Sequence, residues 1–169
     1  MIKALVAVDE NWAIGRNNDL LFKLPNDMRC FRTVTANEIV VCGRKTLESF
    51  PNGKPLKGRS TICLCSKEYN RDDCYCVNDI EELRKLIKEL SKTQDIYIIG
   101  GGRLYKELLY LCDSVIVTKV RADGNGTVFF PNLDFDPHFD LEYCSEDIPD
   151  GPAGEYITNI CTYWRNSSE

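Results

Sequence analysis

The chain has 169 residues, 43% of them hydrophobic and 28% charged, with a formal net charge of -5 and a sequence pI of about 5.0. That length and apolar content suit a single domain spanning residues 1–169 around one sizeable core. The acidic balance excludes a general affinity for nucleic acid or anionic membrane surfaces, which needs clustered excess Lys and Arg. Any anionic ligand has to be drawn by a local patch. Ahead of Asp9 and Glu10 there is only a short apolar run, too short for a signal segment or a membrane span, so a cytoplasmic protein is expected. The nine cysteines are odd in number and follow no secretory segment, which favours reduced thiols over a disulfide scaffold. Cys63-x-Cys65 and Cys74-x-Cys76 leave a zinc site open. Buried thiols used as small hydrophobes are preferred, because zinc modules usually space their ligands at least two residues apart, and no metal is assigned.

Short β-rich apolar runs alternate with helical patterns along the chain. Residues 4–8 read as the first strand and residues 25–34 as a helix with proline in its first turn. A strand at 39–42, a short helix at 45–50 and a strand at 61–64 follow. Asn78 is placed to cap a helix on which Ile80, Leu83, Leu86, Ile87 and Leu90 recur at helical spacing. Then come a strand at 96–99, a helix at 103–111 and a strand at 115–120. Two extended segments, 139–147 and 156–163, flank the turn-rich Pro149-Asp150-Gly151-Pro152 and are expected to pair as an antiparallel edge. The alternation predicts an α/β fold, with about eight strands in a mostly parallel central sheet, an antiparallel C-terminal edge and about four helices.

Three features can receive a nucleotide. The run Ile96-Tyr97-Ile98-Ile99-Gly100-Gly101-Gly102-Arg103 is a strand ending in glycines that open a helix, so a diphosphate can approach backbone N–H groups. It lacks the GxGxxG spacing, and a plain tight turn remains open. The run Val41-Cys42-Gly43-Arg44-Lys45-Thr46 places two cations at a helix start, where the helix dipole disfavours them unless an external anion compensates. Two solvated surface cations are the alternative. Cys65-Ser66-Lys67 adds a hydroxyl and another cation at the end of a third strand. The fourth feature is an acid: Asp27 and Phe31 are i, i+4 neighbours with Met28 beside them, so a carboxylate shares an apolar face. Asp27 serves equally well, on this helix alone, as a first-turn acid favouring the dipole.

Taken in order, these segments resemble dihydrofolate reductase. The likeness is carried by Ala7-Val8-Asp9 with Ile14-Gly15, Leu24-Pro25-x-Asp27-Met28-x-x-Phe31 and Gly43-Arg44-Lys45-Thr46-x-Glu48-Ser49. It continues through Leu56-x-Gly58-Arg59, Ile99-Gly100-Gly101-Gly102-x-x-Tyr105, Thr118 and Phe130-Pro131, so it runs over nearly the whole chain. The resemblance implies NADPH-dependent reduction of 7,8-dihydrofolate, with hydride passing to pterin C6 and a proton to N5. It implies that Asp27 is the catalytic residue, holding the pterin N3 and 2-amino groups with Thr118 hydrogen-bonded nearby, while a water delivers the proton. Arg59 would take the glutamate carboxylate, Met28, Phe31, Phe50 and Leu56 would line the ring slot, and the carbonyls of Leu5 and Ile99 would face the pterin edge.

On the cofactor side the resemblance assigns Ala7, Ile14, Gly15 and Leu20 to the nicotinamide end. Gly43, Thr46, Gly100, Gly101, Gly102, Arg103, Leu104 and Tyr105 fall to the diphosphate region. Arg44, Lys45, Leu64, Cys65, Ser66 and Lys67 fall to the adenosine 2′-phosphate end. It also implies a cis peptide between Gly100 and Gly101, a closing loop over residues 15–22, a monomer, and no nucleic-acid or membrane partner. The chain departs from the family at Leu20-Leu21-Phe22, where the family has Leu-Pro-Trp, at Gly126-Thr127, where the family has an intervening Asp, and at Cys65, where a serine is common. A pyrimidine reductase on the same fold and a non-catalytic pterin or nucleotide binder are the competing readings. A phosphotransferase is excluded by the missing Gly-Lys-Ser/Thr loop and magnesium carboxylates.

Overall fold

The computed structural model describes residues 1–17 and 19–167. In it the β-branched runs become the strands of an α/β fold with four α-helices. Its eight-strand sheet path is mostly parallel, and the C-terminal strands pair antiparallel. The chain divides by internal contacts into two compact units, Met1–Ala4 with Thr35–Cys112, and Leu5–Val34 with Asp113–Glu169. The strand β1 (Ile2–Val8) begins in the first and ends in the second.

In the first unit β1, β3 (Ile39–Gly43), β4 (Ser60–Leu64), β5 (Tyr75–Val77) and β6 (Ile96–Gly100) form a parallel array in the order β1-β6-β3-β4-β5. Parallel strands are covered on both faces, which is why Val40, Val41, Ile96 and Ile98 are all buried. The helices are α2 (Arg44–Glu48), α3 (Ile80–Leu90) and α4 (Gly102–Leu108). Leu83 and Ile87 of α3 carry its buried stripe.

The cap of α3 corrects the sequence reading, for Asp79 rather than Asn78 accepts from the Glu81 N–H, at 2.9 Å. Asn78 instead donates to the Cys65 carbonyl at 2.9 Å and to Asn70 Oδ1 at 2.8 Å, so it ties two loops and leaves the helix start to its neighbour. The expected helix over 103–111 ends at Leu108 and tightens into a 3-10 turn at Leu109–Leu111. Cys42, Cys63 and Cys76 stand opposite one another on neighbouring strands. Cys42, Cys63 and Cys65 are buried with Leu47, and Phe50, Tyr69 and Ile99 pack on them. Among the described residues no group of three or more His, Cys, Asp or Glu is arranged to hold a metal ion.

In the second unit α1 (Pro25–Thr35, all but its last residue), β7 (Ser114–Val120), β9 (Phe139–Cys144), β10 (Ile148–Asp150) and β11 (Tyr156–Arg165) accompany a two-stranded ribbon of β2 (Ala13–Gly15) and β8 (Val128–Phe129). The long strand β11 runs antiparallel to β7 on one side and to β9 and β10 on the other, so the expected antiparallel edge is present. The turn-rich segment near Pro149 supplies strand β10 as well as the turn. Trp12 stacks on Phe130 at 6.3 Å and meets Tyr163 edge-on at 5.9 Å, an aromatic nucleus of this unit's core.

The thiol expectation is corrected here. Cys144 and Cys161 lie directly opposite across the β9–β11 pair and are joined as a disulfide with their Cα atoms 4.2 Å apart. The other seven cysteines stand as thiols. An odd count argued for reduced thiols, but a cross-strand pair needs only two cysteines in register, which spacing alone does not reveal.

Candidate active site

In the second unit the start of α1 presents unpaired N–H groups, and Leu24 before it has no side-chain acceptor. The buried Asp150 carboxylate supplies the acceptors from β10, taking the Asn26 N–H at 2.9 Å and the Asp27 N–H at 2.9 Å. Asp27 is thereby relieved of any capping role, and its carboxylate turns to another strand. Thr118 Oγ1 on β7 donates to Asp27 Oδ1 at 2.5 Å. Burial pushes the Asp27 carboxyl above the ordinary aspartate range; the Thr118 hydrogen bond works against this and the Asp150 charge adds to it. Asp27 lines a cavity of about 200 Å³ with Asn26, Cys30, Thr118, Ile148, Asp150, Thr158 and Ile160.

Only Thr35 of α1 is buried. Met28 is 40% exposed and Phe31 half-buried, so apolar side chains beside the acid are left open to a ligand. On β1 the even positions Ile2, Ala4, Val6 and Val8 are buried while Leu5 and Ala7 are half-buried, the alternation of a strand with one less-covered face. Ile14 and Gly15 sit in β2, half-buried, and Leu20 is 71% exposed. The closing-loop expectation covers Asn18, which lies outside the described residues.

That loop's anchoring is apolar at the points where the chain departs from the family. A Cβ at Gly124 would come within 2.8 Å of Leu21 Cδ1 and 3.0 Å of Phe22 Cζ, and the Phe22 ring meets Tyr156 edge-on at 4.9 Å. The Thr127 N–H donates to the Gly15 carbonyl at 2.9 Å. Sequence reasoning gave Asp9 no role, yet its buried carboxylate accepts from the N–H groups of Asn11 at 2.8 Å, Ala13 at 2.9 Å and Gly124 at 2.9 Å. It ties the turn before β2 to the segment that leads into β8.

In the first unit the ends of β3 and β6 are neighbours. The Gly100–Gly101 peptide is cis, as the resemblance implies. Gly100 has φ +123°, a conformation side chains rarely adopt, and a Cβ there would lie 3.4 Å from Thr46 Oγ1 and 3.5 Å from the Tyr105 hydroxyl. Gly43, Thr46, Gly100, Gly101 and Tyr105 are thus brought together around a bare backbone surface, with Gly102 opening α4 and the buried Leu104 anchoring it. Arg103 is exposed.

Gly43 and Leu64 are register partners, so Arg44 and Cys65-Ser66 leave adjacent strand ends. Arg44 pairs with Glu48 at 2.9 Å and lies over the Tyr69 ring at 5.1 Å. Arg71, which the sequence reading missed, lies over the same ring at 5.8 Å and is held by Asp73. The signal available was a basic residue four positions after Lys67 in the same loop. Lys45 and Ser66 are exposed, whereas Cys65 is buried. Burial and neighbouring sulfurs push the Cys65 thiol up to about 12, so it stays neutral. Phe50 packs on the cysteine cluster, and Leu56, Arg59 and Ile99 are half-buried. The Arg59 guanidinium donates to Thr35 Oγ1 at 3.0 Å and to the Lys57 carbonyl at 2.6 Å.

The first unit thus carries a glycine-lined strand end near the ring-stacked Arg44 and Arg71, and the second carries Asp27 held by the Thr118 hydroxyl in a cavity it shares with Asp150. A nucleotide-binding strand end and a partly buried acid are what a nucleotide-dependent reductase of the α/β class requires. The family model described as dihydrofolate reductase matches residues 1–163. Dihydrofolate reductase of Bacillus subtilis (strain 168) is 33% identical, covering 79% of this chain and 77% of that protein. The enzyme of Schistosoma mansoni is 33% identical, covering 96% of this chain and 92% of that one. Among solved structures, dihydrofolate reductase from Enterococcus faecalis complexed with NADP(H) and RAB-propyl superposes with a TM-score of 0.84 at 28% identity, over 99% of this chain and 97% of that one. The chain belongs to the dihydrofolate reductase family.

Proposed function

We propose that the chain reduces 7,8-dihydrofolate to tetrahydrofolate with NADPH, hydride reaching pterin C6 and a proton reaching N5. The observation that carries this reading is the Asp27–Thr118 hydrogen bond on a helix whose cap is provided by another residue. An acid not needed for the helix, and held partly out of water, is suited to anchoring the pterin N3 and 2-amino groups and favouring the protonated ring. Met28, Phe31, Phe50 and Leu56 flank the ring system, the Leu5 and Ile99 carbonyls face its edge, and the planar Arg59 fork takes the glutamate carboxylate.

The bare backbone at Gly100, where a Cβ would crowd Thr46 and Tyr105, fits close approach of a diphosphate. Gly43, Thr46 and residues 100–105 hold that region; Arg44, Lys45, Ser66 and Lys67 face the 2′-phosphate end with Leu64 and Cys65 beneath, and Ala7, Ile14, Gly15 and Leu20 hold the nicotinamide end. When bound, NADPH supplies the hydride. The protein orients the pterin, excludes water from its face and sets the charge beside N3. No helix among the described residues is long and apolar enough to cross a membrane; a monomeric, single-domain, cytoplasmic enzyme completes the proposal.

Loss of NADPH absorbance with and without dihydrofolate tests it. Oxidation that depends on dihydrofolate, and runs faster with NADPH than with NADH, is expected. NADPH consumption that ignores dihydrofolate, or none at all, overturns the reading.

A further inference from the structure

We propose that Asp150 is a positioning residue for Asp27, holding the backbone that carries the acid and placing a second negative charge on the same cavity. The proposal rests on the reading of Asp27 as the pterin-binding acid. Asp150 is 2% exposed and reaches α1 from more than a hundred residues away, accepting one N–H on each carboxylate oxygen: Asn26 N at 2.9 Å on Oδ1 and Asp27 N at 2.9 Å on Oδ2. The Asn26 side chain adds a bond to the Pro149 carbonyl at 2.8 Å, so the first turn of α1 is clamped to β10. The clamp is itself fixed, for Asp150 is register partner to Tyr156 and its Oδ1 also receives the Gly151 N–H at 2.8 Å.

A neutral residue can cap a helix as well as an acid can, so what sets Asp150 apart from such a cap is its charge beside Asp27. Asp27 shares this cavity with Asn26 and Cys30 of α1, Thr118 of β7, Ile148 and Asp150 of β10, and Thr158 and Ile160 of β11; among the described residues no Lys, Arg or His lines it. The cation of the same helix turn, Arg29, lies outside that lining and donates to Asn26 Oδ1, and the Asp150 charge bears on Asp27 from within the cavity. Its effect adds to burial, and both oppose the Thr118 hydroxyl. Asp150 and Thr118 thus bear on the proton affinity of Asp27 with opposite signs, from two strands.

The test uses the whole protein and reads the Asp27 carboxyl by carbon NMR titration in the ligand-free state, alongside the pH profile of single-turnover hydride transfer. In Asp150→Asn the Asp27 midpoint should fall by about half a unit or more, and the kinetic profile should move to acid with it. Thr118→Val should move both in the opposite direction. Asp150→Ser, a neutral cap of different shape, should reproduce the acid shift and serves if the Asn variant folds poorly. An Asp27 midpoint unchanged in both Asp150 variants, with only a lowered Tm, would make Asp150 a structural cap and overturn the proposal. The titration needs no turnover, so a wild-type protein that fails to oxidise NADPH with dihydrofolate would sink the functional reading while this arm still decides the role of Asp150.

Discussion

Asp27 is the residue on which environment acts most visibly. Burial raises its carboxyl above the ordinary aspartate value of about 3.9, Asp150 adds to this and Thr118 subtracts. The sign of the linkage follows: below the unfolded value both states hold the proton, and as pH rises through the raised folded value the stability of the protonated form is lost. Asp27→Asn cannot ionise, so it should gain stability relative to wild type as pH climbs through that window, with the gain complete above the folded value. Urea unfolding at a series of pH values checks this, and a constant difference at all pH would contradict it. Asp27 and Thr118 were legible in the sequence because a family pattern marks both. Asp150 was not, since the α1 N–H groups it accepts lie more than a hundred residues away, and the tie that Asp9 makes to Gly124 was hidden for the same reason.

At the scale of elements, the strand ends were well marked. Val41-Cys42-Gly43 and Ile98-Ile99-Gly100 read as apolar strands stopped by glycine, and the structure makes them neighbours. Edges of helices were less legible: the shift of the cap from Asn78 to Asp79 turns on which of two adjacent acceptors is drawn into a loop bond. The Cys144–Cys161 disulfide was hidden because it depends on β9–β11 register, which carries a bulge between Thr162 and Tyr163. It closes a sequence separation of 17 residues, so the crosslink should contribute about 3 kcal/mol through the unfolded state. Adding reductant, or making the double Cys144→Ser, Cys161→Ser variant, should lower the urea midpoint accordingly while leaving the Asp27 titration in place. Identical unfolding with and without reductant would show that this bond does not hold the edge strands.

For the molecule as a whole, alternation of apolar strands with amphipathic helices was enough to read the α/β class and the antiparallel C-terminal edge, because burial on one or both faces writes itself into the pattern. The function needed more, since glycine turns and cations are shared by many nucleotide-binding chains; the order of motifs from Ala7 to Phe130 carried it. In the proposed function, what ties fold to activity is the charge on Asp27. Single-turnover hydride transfer to dihydrofolate should therefore be measured for wild type and Asp27→Asn across pH, with NADPH affinity as the control. A fall of about a hundredfold or more at neutral pH is expected, partly recovered in acid where solution supplies protonated substrate, with NADPH binding unchanged. Full activity of Asp27→Asn at neutral pH would contradict the central claim and return Asp27 to the role of an acid at a helix start.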